Sequence, residues 1–180
     1  MEIIKTDIPD LLIIQPKVFE DERGYFYESY SKTVFEKHGI RAEFVQDNQS
    51  LSQKGVLRGL HFQNPPFAQG KLVRAIKGSI LDVAVDIRKN SATYGQHLDI
   101  ELNESNKTML WIPEGFAHGF ITLADNTIFS YKCTNFYNKD SEGSIYWNDP
   151  DLAINWGTNT PLLSEKDKTA GSFREFESKF

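Results

Sequence analysis

The sequence predicts an all-β protein, a sandwich or barrel with a few short peripheral helices. Short segments rich in β-branched and aromatic residues recur about every ten residues. Turn-forming groups such as Lys77-Gly78 and Asn64-Pro65-Pro66 separate these segments. A chain of 180 residues is long enough to bury a sizeable core, so we expect one domain, residues 1–180.

The first part of the chain combines strands with one helix. Residues 11–18 form a predicted strand that bends or lies at a sheet edge, because Pro16 cannot donate to a ladder. A second strand is predicted at 25–30. A helix is predicted at 32–37, because Ser31 is a favourable residue to precede a helix.

The central part is predicted to be strands throughout, at residues 43–49, 56–63, 71–77, 80–87, 97–102, 108–112, 118–123 and 127–134. The strand at 80–87 alternates strictly, with one face formed by Leu81, Val83, Val85 and Ile87 and the other by Asp82, Ala84 and Asp86. After Tyr146 the chain is expected to wrap the barrel as loops, with short helices at 164–169 and 173–180.

Composition excludes several classes of protein. A hydrophobic content of 39% and a charged content of 25% are typical of a soluble globular protein. The net charge of −5 does not provide the basic surface that nucleic-acid binding needs. No apolar run is long enough for a signal peptide or a membrane span. Cys133 is the single cysteine, so no internal disulfide forms, and we expect a reducing, cytoplasmic location.

The segment GVLRGLHFQ, residues 55–63, is the first candidate for a functional strand. It places Arg58 and His61 among apolar residues, which suggests a strand that lines a cavity. Side chains alternate along a regular strand, so these two residues face one ligand only if a bend or bulge lies between them. Gly59 is a plausible place for it. The alternative is a structural strand with Arg58 at its rim and His61 bonded to a carbonyl.

The histidines do not form a metal-binding pattern. The chain has four of them: His38, His61, His97 and His118. None lies within a few residues of another, whereas a metal site needs several ligands that converge on one ion. We expect His38 in the short helix and His97 after a turn, both at the surface, and we expect no bound metal.

The pattern favours acid–base chemistry instead. Histidine titrates close to neutral pH and is commonly oriented by a carboxylate when it acts as a base. Tyr131 lies in the middle of a predicted strand and could donate a proton, while Lys71 begins another strand. Each also has a structural interpretation, Tyr131 as a core aromatic and Lys71 as a charged residue that protects a sheet edge.

Side chains that could hold a phosphate are Arg23, Arg58, Lys71, Arg74 and Lys166. No glycine-rich phosphate loop is present, so a nucleotide would be held by side chains and stacking. In the segment DERGYFYE, Phe26 and Glu28 share a face of the predicted strand, so one could stack on a base while the other accepts its hydrogen bond. A surface turn that leads into a half-buried strand is the alternative.

Taken together, the segments DERGYFYES, FVQDNQSLS, GVLRGLHFQ, LWIPEGFAHGF, YKCTNFY, IYWNDPDLAINW and LSEKD resemble the dTDP-4-dehydrorhamnose 3,5-epimerase family. The resemblance runs from about residue 3 to residue 175. It implies a cupin-like jelly roll that needs no metal or organic cofactor. It also implies a homodimer with exchanged N-terminal strands and no nucleic-acid or membrane partner.

The resemblance further implies roles for individual residues. His61 would be the catalytic base with Asp167 as its carboxylate partner, Tyr131 the acid on the opposite face of the sugar, and Lys71 the cation at the enolate oxygen. The residues expected to bind the nucleotide sugar are Arg23, Phe26, Glu28, Gln46, Asp47, Asn48, Arg58, Lys71, His118, Tyr137, Glu142 and Lys166. Arg23, Phe26 and Glu28 would serve the neighbouring subunit's site.

The implied reaction inverts C3 and C5 of dTDP-4-dehydro-6-deoxy-D-glucose to give dTDP-4-dehydro-L-rhamnose, in dTDP-L-rhamnose biosynthesis. Two alternatives stay open. One is an epimerase that inverts only C3 or only C5 of a related dTDP-4-keto-deoxysugar, because the same acid and base could serve it. The other is a non-catalytic barrel that binds a nucleotide sugar or a metal.

Overall fold

A computed structural model describes all 180 residues, and its regular secondary structure consists mainly of strands. In chain order the strands are β1 (Glu2–Lys5), β2 (Leu12–Gln15), β3 (Phe19–Asp21), β4 (Gly24–Phe26), β5 (Gln46–Ser52), β6 (Leu57–Gln63), β7 (Lys71–Lys77), β8 (Ser79–Asp86), β9 (His97–Asn103), β10 (Met109–Ile112), β11 (Phe116–Thr122), β12 (Thr127–Cys133) and β13 (Glu142–Ser144). The helices are α1 (Lys32–Lys37) and α2 (Glu165–Lys168), with a 3₁₀ turn at Lys139–Ser141.

Eleven of the strands form two antiparallel sheets, of six strands in the order β1-β2-β10-β7-β12-β5 and of five in the order β13-β6-β11-β8-β9. Strands β3 and β4 form a separate hairpin. The two sheets pack face to face as a cupin-like jelly roll. This confirms the predicted all-β fold with short peripheral helices.

The core has two layers because both faces of the five-stranded sheet are covered. Between the sheets lie apolar side chains from both of them, such as Val73, Ala84, Leu110 and Phe129. On the other face of the five-stranded sheet a second cluster contains Val83, Val85 and Ile87 together with the C-terminal Trp147 and Trp156. The alternation predicted for β8 is therefore present, and apolar clusters cover both faces of the strand.

The C-terminal part wraps the barrel as loops, as the sequence predicts, and it contains the short helix α2. The helix predicted at 173–180 is wrong, since these residues form turns and irregular chain. Hydrogen bonds to distant segments fix this backbone: Phe173 N–H donates to the Asp149 carboxylate, and Lys89 N–H donates to the Phe180 carbonyl. Such tertiary contacts outweigh local helix propensity.

The N-terminal part differs from the prediction mainly in strand length. Helix α1 is confirmed at its predicted bounds. The predicted strand 11–18 ends at Gln15, directly before Pro16, and the predicted strand 25–30 ends at Phe26. The three short strands β1, β3 and β13 were not predicted. The longest helix has six residues, and none is long and apolar enough to cross a membrane.

A buried ion pair joins distant parts of the chain at the end of β8. Asp86 is fully buried and accepts hydrogen bonds from Arg88, Ser91 and Thr93. Arg88 also contacts the Asp10 carboxylate at 2.9 Å. Burial alone would raise the pKa of Asp86, but these hydrogen bonds outweigh it and lower the pKa to about 2.

We predict that Asp86→Asn lowers the free energy of unfolding by roughly 2 kcal/mol at neutral pH, because a pKa unit corresponds to about 1.4 kcal/mol. The stabilisation should be complete above the pKa of the unfolded carboxyl, about 3.9, and disappear as the pH falls towards 2. Urea denaturation at several pH values measures it. Asp151→Asn is the control, since its exposed pair with Arg174 should contribute well under 1 kcal/mol. Equal losses in the two variants would contradict this account.

Candidate active site

A cavity of about 450 Å³ opens between the two sheets. Its lining includes Gln49, Ser50, Arg58, His61, Lys71, His118, Phe120, Phe129, Tyr131, Leu162 and Asp167. A second cavity of about 390 Å³ is lined by Gln46, Asn48, Gln63, Gln69, Tyr137 and Glu142. The two cavities share His61, Lys71 and Tyr131. These three side chains lie at the junction of the cavities, where a ligand that occupied both would contact them.

Strand β6 brings Arg58 and His61 to the same cavity through an irregular backbone at Gly59. The pairing of β6 with β11 shifts register between these two residues, which is the bulge that the sequence predicts. Gly59 has a φ of +134°, and a Cβ atom there would lie 2.5 Å from the Gly119 Cα. Only glycine fits this conformation and this close approach.

His61 is paired with a buried carboxylate. Its Nε2 lies 2.5 Å from Asp167 Oδ1, and Asp167 is 2% exposed. Ser164 Oγ donates to the other carboxylate oxygen at 2.7 Å. Although burial opposes the charge of Asp167, the hydrogen bonds from His61 and Ser164 keep its pKa below the ordinary value. An ionised Asp167 accepts a hydrogen bond from the Nε2–H of His61, which leaves His61 Nδ1 as the nitrogen that can take a proton.

Lys71 and Tyr131 come from neighbouring strands, β7 and β12, and both face the space between the sheets. Burial lowers the pKa of Lys71 from its ordinary value, because it penalises the ammonium form. Burial raises the pKa of Tyr131 for the corresponding reason. Tyr131 is therefore a protonated phenol at neutral pH and can act as a proton donor.

The floor of the cavity is aromatic around a second histidine. Phe120 and Phe129 have ring centroids 4.3 Å apart, and the His118 ring is stacked 6.1 Å from Phe129. His118 Nε2 lies 2.9 Å from the Asp82 carboxylate, and both residues are buried. These phenylalanine rings make this part of the cavity apolar.

The lining of the second cavity is polar and hydrogen-bonded. Gln46 Nε2 donates to Asn48 Oδ1 at 3.1 Å, and Gln46 Oε1 accepts from Tyr137 N–H at 3.1 Å. Lys166 Nζ lies 2.5 Å from Glu142 Oε1, and the Tyr137 hydroxyl lies 3.4 Å from Glu142. Gln46, Asn48, Tyr137 and Glu142 thus line one side of this cavity, and Lys166 is joined to them through Glu142.

Other expected binding residues lie elsewhere in the chain. Arg23, Phe26 and Glu28 are exposed on or just after the β3–β4 hairpin and do not line either cavity of their own chain. Because β4 ends at Phe26, the prediction that Phe26 and Glu28 share a strand face is wrong. The Asp47 side chain pairs with Lys132 on the outer face of the six-stranded sheet, at 2.9 Å.

Arg74, one of the candidate phosphate-binding residues, also lies on the outer face of the six-stranded sheet. Its guanidinium donates to the Tyr27 hydroxyl at 3.4 Å. His38 is exposed directly after α1, and His97 is partly buried near Asp99. Only His61 and His118 face the cavity, as cross-strand partners on β6 and β11.

Sequence reasoning missed two residues that support the site, Asp82 and Ser164. The signal for Asp82 is an acidic residue in the middle of an otherwise apolar strand, where charged residues are rarely buried without a partner. The signal for Ser164 is its place as the cap of α2: its Oγ accepts from Asp167 N–H at 3.2 Å. The same hydroxyl orients the Asp167 carboxylate.

A histidine paired with a carboxylate, a tyrosine and a lysine therefore converge in a jelly-roll cavity, and this set of side chains is typical of enzymes that use acid–base chemistry. The model of the dTDP-4-dehydrorhamnose 3,5-epimerase family matches residues 5–175. The chain belongs to this family.

Individual relatives agree with this assignment. The dTDP-4-dehydrorhamnose 3,5-epimerase of Shigella flexneri is 56% identical over 174 residues, which is 96% of each chain. The crystal structure of the enzyme of that name from Elizabethkingia anophelis NUHP1 has a TM-score of 0.93 and 52% identity over 97% of each chain. A dTDP-6-deoxy-D-glucose-3,5-epimerase from Legionella pneumophila Philadelphia 1, in complex with dTDP-4-keto-L-rhamnose, has a TM-score of 0.94 and 49% identity, covering 98% of this chain and 94% of the other.

Proposed function

We propose that this protein epimerises C3 and C5 of dTDP-4-dehydro-6-deoxy-D-glucose, which gives dTDP-4-dehydro-L-rhamnose for dTDP-L-rhamnose biosynthesis. The observation that carries the proposal is the convergence of His61, Lys71 and Tyr131 at the junction of two cavities in a chain of this family. The protein would be an isomerase that uses no cofactor of its own.

The chemistry begins with removal of a proton from carbon. The hydrogens at C3 and C5 are both α to the C4 ketone, so loss of either leaves an electron pair that moves onto the C4 oxygen as an enolate. His61 is the proposed base, since its Nδ1 is free while Nε2 is bonded to Asp167. Asp167 fixes this tautomer and stabilises the imidazolium that forms.

The enolate then needs a cation and a new proton. Lys71 is proposed to stabilise the charge on the C4 oxygen, and such oxyanion stabilisation is often the largest single contribution to catalysis. Tyr131 is proposed to return a proton to the same carbon from the opposite face, which inverts the centre. His61 then releases its proton to solvent, and the Tyr131 phenolate takes up a proton, before the next step.

Nucleotide binding is proposed to use the polar residues of the second cavity and Arg58. Arg58 is held at the cavity by Ser52 Oγ, 3.2 Å from its Nη2. Its guanidinium is proposed to bind the diphosphate, because guanidinium forks match phosphate oxygens. Tyr137 is proposed to lie along the thymine ring, with Gln46, Asn48, Glu142 and Lys166 beside it.

The remaining contacts are proposed to come from a second copy of the chain. The hairpin of residues 19–26 exposes Phe19, Tyr25 and Phe26 by 54%, 56% and 67%, more apolar surface than such a short element normally shows to water. Exchange of these N-terminal strands in a homodimer would cover them and bring Arg23, Phe26 and Glu28 to the partner's cavity. Arg23 contacts only Asp21 in its own chain.

A cytoplasmic location, without nucleic-acid or membrane partners, is part of the proposal. Cys133 is a free and buried thiol, which suits a reducing compartment. The net charge of −5 is unfavourable for binding to anionic polymers and surfaces.

One experiment tests the activity as a whole. The protein is incubated with dTDP-4-keto-6-deoxyglucose in deuterated water, and NMR follows deuterium uptake and inversion at each carbon. The proposal expects uptake and inversion at both C3 and C5. Exchange confined to one carbon would indicate a single-centre epimerase, and no exchange at either would indicate a binding protein.

We predict that His61→Ala nearly abolishes deuterium uptake at C3 and C5, because no other group at the junction is both free to accept a proton and oriented by a carboxylate. The uptake rate is measured by NMR, with His38→Ala as the control, since His38 is exposed and far from the cavity. A folded His61→Ala protein that keeps more than about a tenth of the wild-type rate would overturn the assignment of the base.

We predict that Tyr131→Phe impairs inversion more than deuterium uptake. Removing the phenol leaves His61 able to form the enolate and to return deuterium from its own side, without inversion. The ratio of inverted product to deuterated substrate measures this effect. Equal loss of the two rates would count against Tyr131 as the acid.

We predict that mixing His61→Ala chains with Arg23→Ala chains restores activity. In a mixed dimer with exchanged hairpins, one of the two sites has an intact His61 and receives an intact Arg23. Random reassociation should then give about one quarter of the wild-type activity. Each variant alone should be nearly inactive, and a mixture no more active than its parts would contradict hairpin exchange.

A further inference from the structure

The buried pair of Asp82 and His118 takes no part in the acid–base steps above. Asp82 lies in the middle of β8 and has no exposed surface. One carboxylate oxygen is 2.9 Å from His118 Nε2, while the other, Oδ1, is buried without a hydrogen-bond partner. A buried carboxylate with an unpaired oxygen is strongly unfavourable unless a cation lies nearby to offset its charge.

We propose that Asp82 is a positioning residue that keeps the Lys71 side chain positively charged in the cavity and holds His118 neutral, with its proton on Nε2. The inference rests on the proposed function, in which the Lys71 ammonium meets the enolate oxygen. Asp82 does not touch the cavity itself and would act through Lys71 and His118, both of which line it.

His118 does not neutralise Asp82. Burial lowers the pKa of His118, although the charge of Asp82 and the hydrogen bond to it act in the opposite direction. A neutral His118 donates its Nε2 proton to the carboxylate and leaves the negative charge in place. The cation that offsets Asp82 must therefore be another group.

The carboxylates around Lys71 differ in what pairs with them. Glu142, from β13, is tied to Lys166 at 2.5 Å, so a cation already offsets its charge. Asp167, behind β6, is bonded to His61 and Ser164. Asp167 is thus bonded through both of its oxygens, whereas Asp82 keeps one oxygen without a hydrogen-bond partner.

The other titratable groups near Lys71 do not replace Asp82. Cys133 is the cross-strand neighbour of Lys71 on β12, and burial raises the pKa of its thiol, so it is uncharged at neutral pH. Burial also lowers the pKa of Lys71, and the charge of Asp82 opposes that effect. Without Asp82, Lys71 would lose its proton at a lower pH, and its neutral amine could not stabilise an oxyanion.

The test is Asp82→Asn, which keeps the shape of the side chain and its acceptor oxygen but removes the charge. Two quantities are measured: the titration of Lys71 by ¹³C NMR of its Cε, assigned with Lys71→Met, and the pH profile of C3 and C5 exchange. We expect the Lys71 titration and the alkaline limb of the profile to move together to lower pH by about one unit, a typical effect of one nearby charge.

Asp86→Asn is the matched control. Asp86 lies on the same strand and is equally buried, but its partner is Arg88 and it does not line the cavity. This variant should lose stability while the Lys71 titration and the alkaline limb stay at their wild-type positions. If the loss of a buried carboxylate acted only by destabilising the fold, the Lys71 titration and the alkaline limb would change in the same way in both variants.

The outcomes separate this inference from the proposed function. An unchanged Lys71 titration in Asp82→Asn overturns the inference even if the enzyme remains active. If wild-type protein shows no exchange, the proposed function fails, but the NMR titration still decides the electrostatic role of Asp82. Should Asp82→Asn not fold, ¹⁵N NMR of the wild type decides: His118 cationic, or protonated on Nδ1, at pH 7 overturns the inference.

Discussion

The active-site geometry depends on a short backbone pairing between β6 and the C-terminal segment. Leu162 N–H donates to the Gly55 carbonyl, and Leu57 N–H donates to the Leu162 carbonyl. This pairing anchors the chain just before α2, so that Asp167 reaches His61 from a position 106 residues later in the sequence. Each backbone bond contributes only about 1 kcal/mol, but together they fix where the carboxylate lies.

The same C-terminal segment explains why the five-stranded sheet can hold charged residues. It covers the outer face of the sheet with Trp147, Trp156 and the phenylalanines of the last residues, so that face supplies a full apolar layer. The inner face is then free to carry Asp82, His61 and His118 without loss of the core. The outer layer thereby adds a second core to the one between the sheets, where the polar side chains of the cavity lie beside apolar ones.

The fold was largely predictable because strand periodicity and turn residues are local signals. The bulge at Gly59 was also predictable, since Arg58 and His61 could not otherwise face one cavity. The partnership of His61 and Asp167 came from the family resemblance, because no local pattern links residues so far apart. The buried position of Asp82 was not predicted. The alternation of side chains along a strand shows which face each residue lies on, but it does not show that both faces of β8 are covered. The prediction of a helix at 173–180 was wrong because hydrogen bonds to Asp149 and Lys89 hold this segment in a non-helical conformation.

The two histidines of the cavity have the same kind of carboxylate partner but differ in how far they are buried. Both present Nε2 to a buried carboxylate, and they are direct cross-strand neighbours. The side chain of His61 is 30% exposed, whereas that of His118 is 7% exposed.

A catalytic base must return its proton to solvent in every cycle, so solvent access favours His61 for that task. His118 has little contact with solvent, which suits a residue that fixes charge and shape. His61 lies at the junction of the two cavities, next to the bulge at Gly59, while His118 lies against the phenylalanine floor.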